Sequence, residues 1–259
     1  MRPHFLNTPP LPSDVLLSFA RGLAVLEVFA RSRTALSMAD LARRTGLPRA
    51  TVRRILITLR TLGYAVEYDR KFQLTPKILT LAEGFLATAD YPQAIQPVLE
   101  EITRRTGESS SFAVLEGTDI IYVARSSEEK LRIMSSSLHV GSTLPAFCTS
   151  MGRAIISHLP VTRQKEILAI SQLMCHTPHT ITDVNRLLEI FVHVKKNGYS
   201  FVNQELELGL CSIAIPVFTR SNQVLGAINI STHVLRTNPT QVEEKYLPYL
   251  RAASQMVSL

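Results

Sequence analysis

Residues 37–64 read SMADLARRTGLPRATVRRILITLRTLGY, and this stretch decides the fold of the first third of the chain. Ser37 followed by Asp40 has the form of a capping box, so a short helix is expected to start there and to stop at Gly46. Pro48 suits the first turn of a second helix, which runs to about Leu62 and ends at Gly63. Met38, Leu41, Val52, Ile55 and Leu56 sit where they can pack the two helices together, and Gly46 supplies the sharp turn. Helix, tight turn and helix span about 37–62.

Working outward, Leu16, Phe19, Leu23, Leu26 and Phe29 recur at helical spacing and predict a preceding helix over Val15–Ala30. Downstream, Tyr64, Val66 and Tyr68 alternate, Asp69-Arg70-Lys71 makes a turn, and Phe72 and Leu74 alternate again. That is a hairpin over 64–74. Three helices and a hairpin are the parts of a winged helix-turn-helix, whose second motif helix enters the major groove. A further helix, capped by Thr75-Pro76, is expected over 77–91 as a connector.

Charge agrees with this reading. The chain of 259 residues carries a formal +7. Residues 1–76 hold 12 basic against 5 acidic side chains, so the whole excess lies there and the rest is neutral. A one-signed segment on a recognisable motif points to duplex DNA. Arg49, Ala50, Thr51, Arg53 and Arg54 open the second helix and are candidates to meet base edges. Arg43 and Arg44 suit phosphates, and Arg70 and Lys71 suit the backbone beside the wing.

Other classes are excluded. No apolar run approaches a membrane span, and Met1–Pro12, with four prolines, reads as part of a disordered lead (1–14) rather than a signal peptide. Cys148, Cys175 and Cys211 are odd in number and far apart, unlike a disulfide framework or zinc set, so a cytoplasmic setting is expected. No metal or cofactor motif is present. Cys148 as nucleophile and Glu205/Glu207 as an acid–base pair are the enzyme alternatives. Cys148 has no evident base nearby, and Glu205 and Glu207 are expected to cap a loop around Gly209, so no catalytic residue is assigned. A redox switch through the cysteines is a narrower alternative. His176-Thr-Pro-His179 reads as loop.

Residues 92–259 form a second unit of class α+β. Helices are expected over Pro92–Thr106, Ser150–His158, Thr162–Ser171, Thr182–Asn197 and from Thr240. Strands are expected at Ser109–Leu115, Ile120–Ser126, Leu131–Ser137, Tyr199–Gln204, Cys211–Phe218 and Val224–Ser231.

Several motifs, in order, resemble the IclR family of bacterial transcription regulators: RGLAVL (21–26), Leu41-Ala with TGLP (45–48), RILITLRTLGY (54–64), LPAFCTSMGR (144–153) and GYSFVNQELELGLCSIAIP (198–216). Residues 135–141, 149–153 and 201–210 are most similar to the subgroup controlling protocatechuate and 4-hydroxybenzoate breakdown (the PcaR, PcaU and PobR kind). The chain departs from that pattern at Val202, often acidic in the family, at Asn203, often Asp in the subgroup, and at Cys211, often Arg. The resemblance implies a GAF-like effector domain and a homodimer or dimer of dimers. It also implies pocket positions at Ser150, Met151, Val202, Ser212, Asn229 and Ser231. Chemically, the first turn after Thr149 offers backbone N–H groups to a carboxylate, the strand residues offer hydroxyls and an amide, and Val202 and Met151 supply apolar wall. Arg132, on an expected strand, could grip the carboxylate. The expectation is a DNA-binding regulator, an activator of an aromatic-acid operon. Repression in response to a short aliphatic or oxo-acid is the alternative.

Overall fold

The computed structural model describes residues 13–32, 34–88, 90–127 and 138–256. The lead through Pro12, the strand expected at Leu131–Ser137 and the candidate Arg132 lie outside the described residues. The chain divides into two units between Ala89 and Asp90.

In the N-terminal unit, α1 (Leu17–Ala30), α2 (Met38–Thr45) and α3 (Arg49–Thr61) pack around Val25, Phe29, Leu41, Leu47, Val52, Leu56 and Phe72. The capping box is real: Ser37 Oγ accepts from Asp40 N at 3.1 Å, and Asp40 Oδ2 accepts from Ser37 N at 3.3 Å. Gly46 caps α2 with φ +69°, the left-handed region that glycine enters freely. Buried Thr45 stiffens the turn by donating to Leu41 O at 2.6 Å and accepting from Leu47 N at 3.3 Å. Strands β2 (Ala65–Tyr68) and β3 (Lys71–Leu74) form the wing, joined by a third strand, β1 (Leu36–Ser37), that two residues were too short to signal. Tyr68 pairs with Lys71, so the turn is Asp69-Arg70 alone, at φ +49° and +60°. That is the two-residue turn whose twist matches the strands. After a single 3-10 turn at Pro76–Ile78 comes α4 (Leu79–Thr88), which groups with this unit.

The C-terminal unit is built on one antiparallel sheet. Among the described residues its strand order is β6 (Thr143–Pro145), β5 (Asp119–Ser126), β4 (Ser109–Glu116), β9 (Val224–His233), β8 (Leu210–Phe218), β7 (Ser200–Asn203). Strand alternation sends large residues one way and small ones the other. Phe112, Ile213, Ile215, Ile228 and Ile230 face α5 (Asp90–Thr106) and α9 (Val242–Met256), with Leu99, Tyr246 and Leu250. Ala113, Ala214 and Ala227 face α6 (Ser150–Ile156), α7 (Val161–Ile170) and α8 (Val184–Asn197), with Phe147, Ile155 and Phe191. The small face accommodates α6, and Gly152 in that helix lies against the 3-10 turn that precedes it: a Cβ there would stand 2.1 Å from Ala146 O. Pro216 sits beyond the end of β7, whose pairing stops at Ser200–Ala214, so its missing N–H costs no ladder bond.

Candidate functional site

The N-terminal unit presents Arg49, Ala50, Arg53 and Arg54 as exposed residues at the start of α3, while Thr51 is half-buried. Arg43 and Arg44 are exposed at the end of α2, and Arg70 and Lys71 at the wing tip. Arg43 reaches Asp40 at 2.5 Å with most of its side chain in solvent. Two further residues join this face. Arg60 ties α3 to the wing through Glu67 at 2.5 Å, and exposed Ile57 lies among the cations. Arg53, Ile57, Arg60 and Arg70 line a groove of about 380 Å³ between α3 and the wing. A basic helix start, a basic wing and an apolar residue between them can meet phosphates, base edges and a thymine methyl.

In the C-terminal unit, six of the sequence-chosen residues come together. Ser150, Met151, Val202, Ser212, Asn229 and Ser231 line one cavity with Tyr122, Leu144, Cys148, Leu206 and Leu210. The strand register explains why: Val202 pairs with Ser212 and Ser212 with Ser231, so the three side chains share the α6 face. Ser212 is a hub. Its Oγ lies 2.6 Å from Ser150 Oγ and accepts from Asn229 Nδ2 at 2.9 Å, and Asn229 Nδ2 also donates to Ser231 Oγ at 2.9 Å. Asn229 Oδ1 and, beside Ser231 in register, Ser109 Oγ are buried with no partner. Such atoms are expensive to leave unbonded, about 1–3 kcal/mol each. The cavity itself holds about 20 Å³, roughly one water.

One N–H of the first turn of α6 is capped from within: Thr149 Oγ1 accepts from Gly152 N at 3.2 Å. Asn203 and Cys211 turn out to be cross-strand partners, with the thiol 3.1 Å from Asn203 Oδ1. Cys211 belongs to the core against α5 and α9, the sheet face opposite the cavity. The two departures from the family pattern are thus one cross-strand pair on the sheet face opposite the pocket wall; Val202 is the departure that lines it.

Two features were not legible beforehand. Arg153, fully buried, grips Glu205 through both guanidinium nitrogens at 2.6 Å and donates to Phe147 O at 2.7 Å. Glu205 also accepts from Ile181 N at 3.0 Å, so the 204–210 loop, which carries the cavity residues Leu206 and Leu210, is pinned to α6. Arg125, half-buried on β5, donates to Ser111 Oγ at 2.9 Å.

Glu205 is therefore an ion-pair partner. Burial pushes the Cys148 thiol up to about 12, far from a thiolate at neutral pH. No cluster of three or more metal-ligating side chains occurs among the described residues. No helix among them is long and apolar enough to cross a membrane.

Comparison with known proteins fits this geometry. Residues 18–69 match the IclR helix-turn-helix domain, and residues 84–259 match the bacterial transcriptional regulator IclR C-terminal family. The chain is 42% identical over 242 residues to the Pca regulon regulatory protein of Pseudomonas putida, covering 93% of this chain and 83% of that protein. It is 34% identical to the p-hydroxybenzoate hydroxylase transcriptional activator of Acinetobacter baylyi, covering 92% and 89% of the two chains. Among solved structures, an IclR homolog from Microbacterium hydrocarbonoxydans complexed with 4-hydroxybenzoate superposes with a TM-score of 0.77 at 26% identity, covering 93% and 97%. A winged basic unit, a second unit with a polar-floored cavity and family matches to both make this chain an IclR-family transcriptional regulator.

Proposed function

We propose that this regulator binds operator DNA through Arg43, Arg44, Arg49, Ala50, Thr51, Arg53, Arg54, Arg70 and Lys71, and that a small aromatic carboxylate in the C-terminal cavity switches it to activate a catabolic operon. The observation that carries the effector reading is the cavity wall. Met151, Val202, Leu144, Leu206 and Leu210 are apolar and suit a ring, and one buried acceptor, Asn229 Oδ1, is left unbonded among them. An acceptor repels a carboxylate and matches a hydroxyl donor. A hydroxylated benzoate such as 4-hydroxybenzoate or protocatechuate answers both. One relative is named as a p-hydroxybenzoate hydroxylase activator and one structural neighbour holds 4-hydroxybenzoate, which supports the same class.

The protein acts as a homodimer, alone or as a dimer of dimers, in a bacterial cytoplasm. Two half-sites are the usual target of such a motif, and the exposed Leu17, Phe19 and Leu23 of α1 and Leu79 and Leu81 of α4 favour burial against a second copy. The effector shifts a population between DNA-competent and DNA-incompetent arrangements, to the extent that it binds one better than the other.

The small cavity volume favours a second reading, a repressor responding to a short oxo-acid. A ring enters only if Met151, Leu206 or Leu210 moves. Thermal shift and operator gel shift of the full-length protein separate the two. Stabilisation by 4-hydroxybenzoate or protocatechuate at micromolar concentration supports the aromatic reading; stabilisation by glyoxylate or pyruvate alone overturns it.

A further inference from the structure

Two arginines penetrate the C-terminal unit, and they are treated differently. Arg153 is fully neutralised by Glu205. Arg125 is half-buried, yet no carboxylate among the described residues lies within ion-pair distance of it; its guanidinium donates to the neutral Ser111 Oγ. A cation withdrawn from water without a counter-charge is costly, and proteins retain one where an anion arrives.

Its placement is not an accident of strand alternation. Phe112 faces Ala124 and Ala113 faces Tyr122, which leaves Val123 as an extra residue in β5. This bulge reverses the alternation beyond it. Tyr122 lines the cavity, and simple alternation would send Arg125 to the opposite face. With the bulge, Arg125 pairs with Ser111 and Ser111 pairs with Asn229, so all three share the sheet face that bears the cavity, Asn229 in its lining and Arg125 and Ser111 outside it on the β5 side. Bulges commonly re-aim a side chain beside a functional site. Each side chain influences the other electrostatically: burial pushes the Tyr122 phenol up to about 12, with Arg125 opposing, and burial pushes the Arg125 guanidinium down, with Tyr122 opposing.

We propose that Arg125, delivered to the cavity face by the Val123 bulge, is the residue that binds the effector's carboxylate. This rests on the aromatic-acid reading above and assigns its anionic end to the β5 side, away from Asn229 Oδ1. The guanidinium offers two parallel N–H donors to the carboxylate, and Ser111 holds the fork in place. Selectivity for an acid over its neutral amide follows from this single contact.

The test is calorimetric titration of the full-length protein with 4-hydroxybenzoate and with 4-hydroxybenzamide. Wild type favours the acid. Arg125→Gln lowers acid affinity by about 10- to 100-fold, the range expected for losing charged hydrogen bonds, and brings the acid-to-amide ratio close to one. Arg125→Lys, which keeps the charge and loses the fork, recovers part of the ratio. An Arg125 that merely supports the sheet lowers the melting temperature of the ligand-free protein and weakens both ligands alike; an unchanged ratio in both variants therefore overturns the proposal. So does a ratio that collapses in Arg132→Gln and survives in Arg125→Gln. Wild type that binds neither compound removes the aromatic-acid reading as well, whereas wild-type binding with an unmoved Arg125 ratio removes only the assignment of Arg125.

Discussion

Replacing Glu205 by Gln keeps the side-chain shape and removes one charge. The pair it breaks is dry: side-chain exposure is 2% for Arg153 and 7% for Glu205, and both N···O distances are 2.6 Å. Arg153 would then be buried with only neutral acceptors, Phe147 O and the new amide oxygen, and no counter-charge. Breaking one side of a buried pair costs about 3–5 kcal/mol, chiefly as the penalty of the stranded charge. For a domain the size of the C-terminal unit, each kcal/mol moves the melting temperature by about 2–4 °C, so the expected loss is about 6–20 °C. The chain has no tryptophan, so far-UV circular dichroism is the suitable readout. The double variant Arg153→Met, Glu205→Leu removes both charges, and its loss is expected to be smaller than that of Glu205→Gln. It still strands Phe147 O and Ile181 N, which limits the recovery. A Glu205→Gln loss below about 1 kcal/mol, the range of a solvent-exposed pair, would refute the claim that this bridge is dry and pins the 204–210 loop.

Arg43→Ala is expected to weaken binding to all DNA sequences and to flatten the salt dependence by about one unit, as for a lost phosphate contact; an unchanged slope in a fluorescence-anisotropy titration removes that assignment. Arg49→Ala or Arg53→Ala should instead change sequence preference in a randomised-operator selection. Arg70→Gly relieves a non-glycine residue at φ +60° and removes a wing charge, so the free protein should melt higher while DNA binding weakens; weakened stability would contradict the strain argument. Iodoacetamide at pH 8 should modify exposed Cys175 in the native protein and spare Cys148 and Cys211, whose thiols burial pushes up to about 12 and about 11; mass spectrometry showing rapid labelling of Cys148 would reopen a thiolate role.

How much of this was readable beforehand depends on the range over which each signal acts. The helix-turn-helix was legible because its determinants are local: Ser37 and Asp40 cap one helix, Gly46 turns the chain, and Leu41, Val52 and Leu56 follow the helical period. Strands β1 and β6 escaped because two and three residues carry no period. The pocket residues on β8 and β9 were placed by family motif, and the register then explained their company. Arg153 and Glu205 meet across the fold, with no local pattern to couple them. Arg125 was hidden by the bulge, since alternation read through Val123 assigns it to the wrong face. Asn203 and Cys211 are separate departures in the sequence and one cross-strand pair on the far side of the sheet.

The order of the sheet also governs when the pocket comes into being. Strand β9 lies between β4 and β8, so among the described residues the early β4–β5 pair is joined to the β7–β8 pair only by the last strand to be synthesised. Asn229 and Ser231 ride on that strand. Until it emerges from the ribosome, β4 and β5 are a hairpin with an open edge, and β7 and β8 are another. Such non-local pairing is slow to form and leaves strand edges exposed meanwhile. Whatever occupies the cavity recognises only the finished sheet and stabilises it by mass action. On the proposed assignment of the effector to this cavity, refolding in its presence is expected to raise the yield of folded regulator.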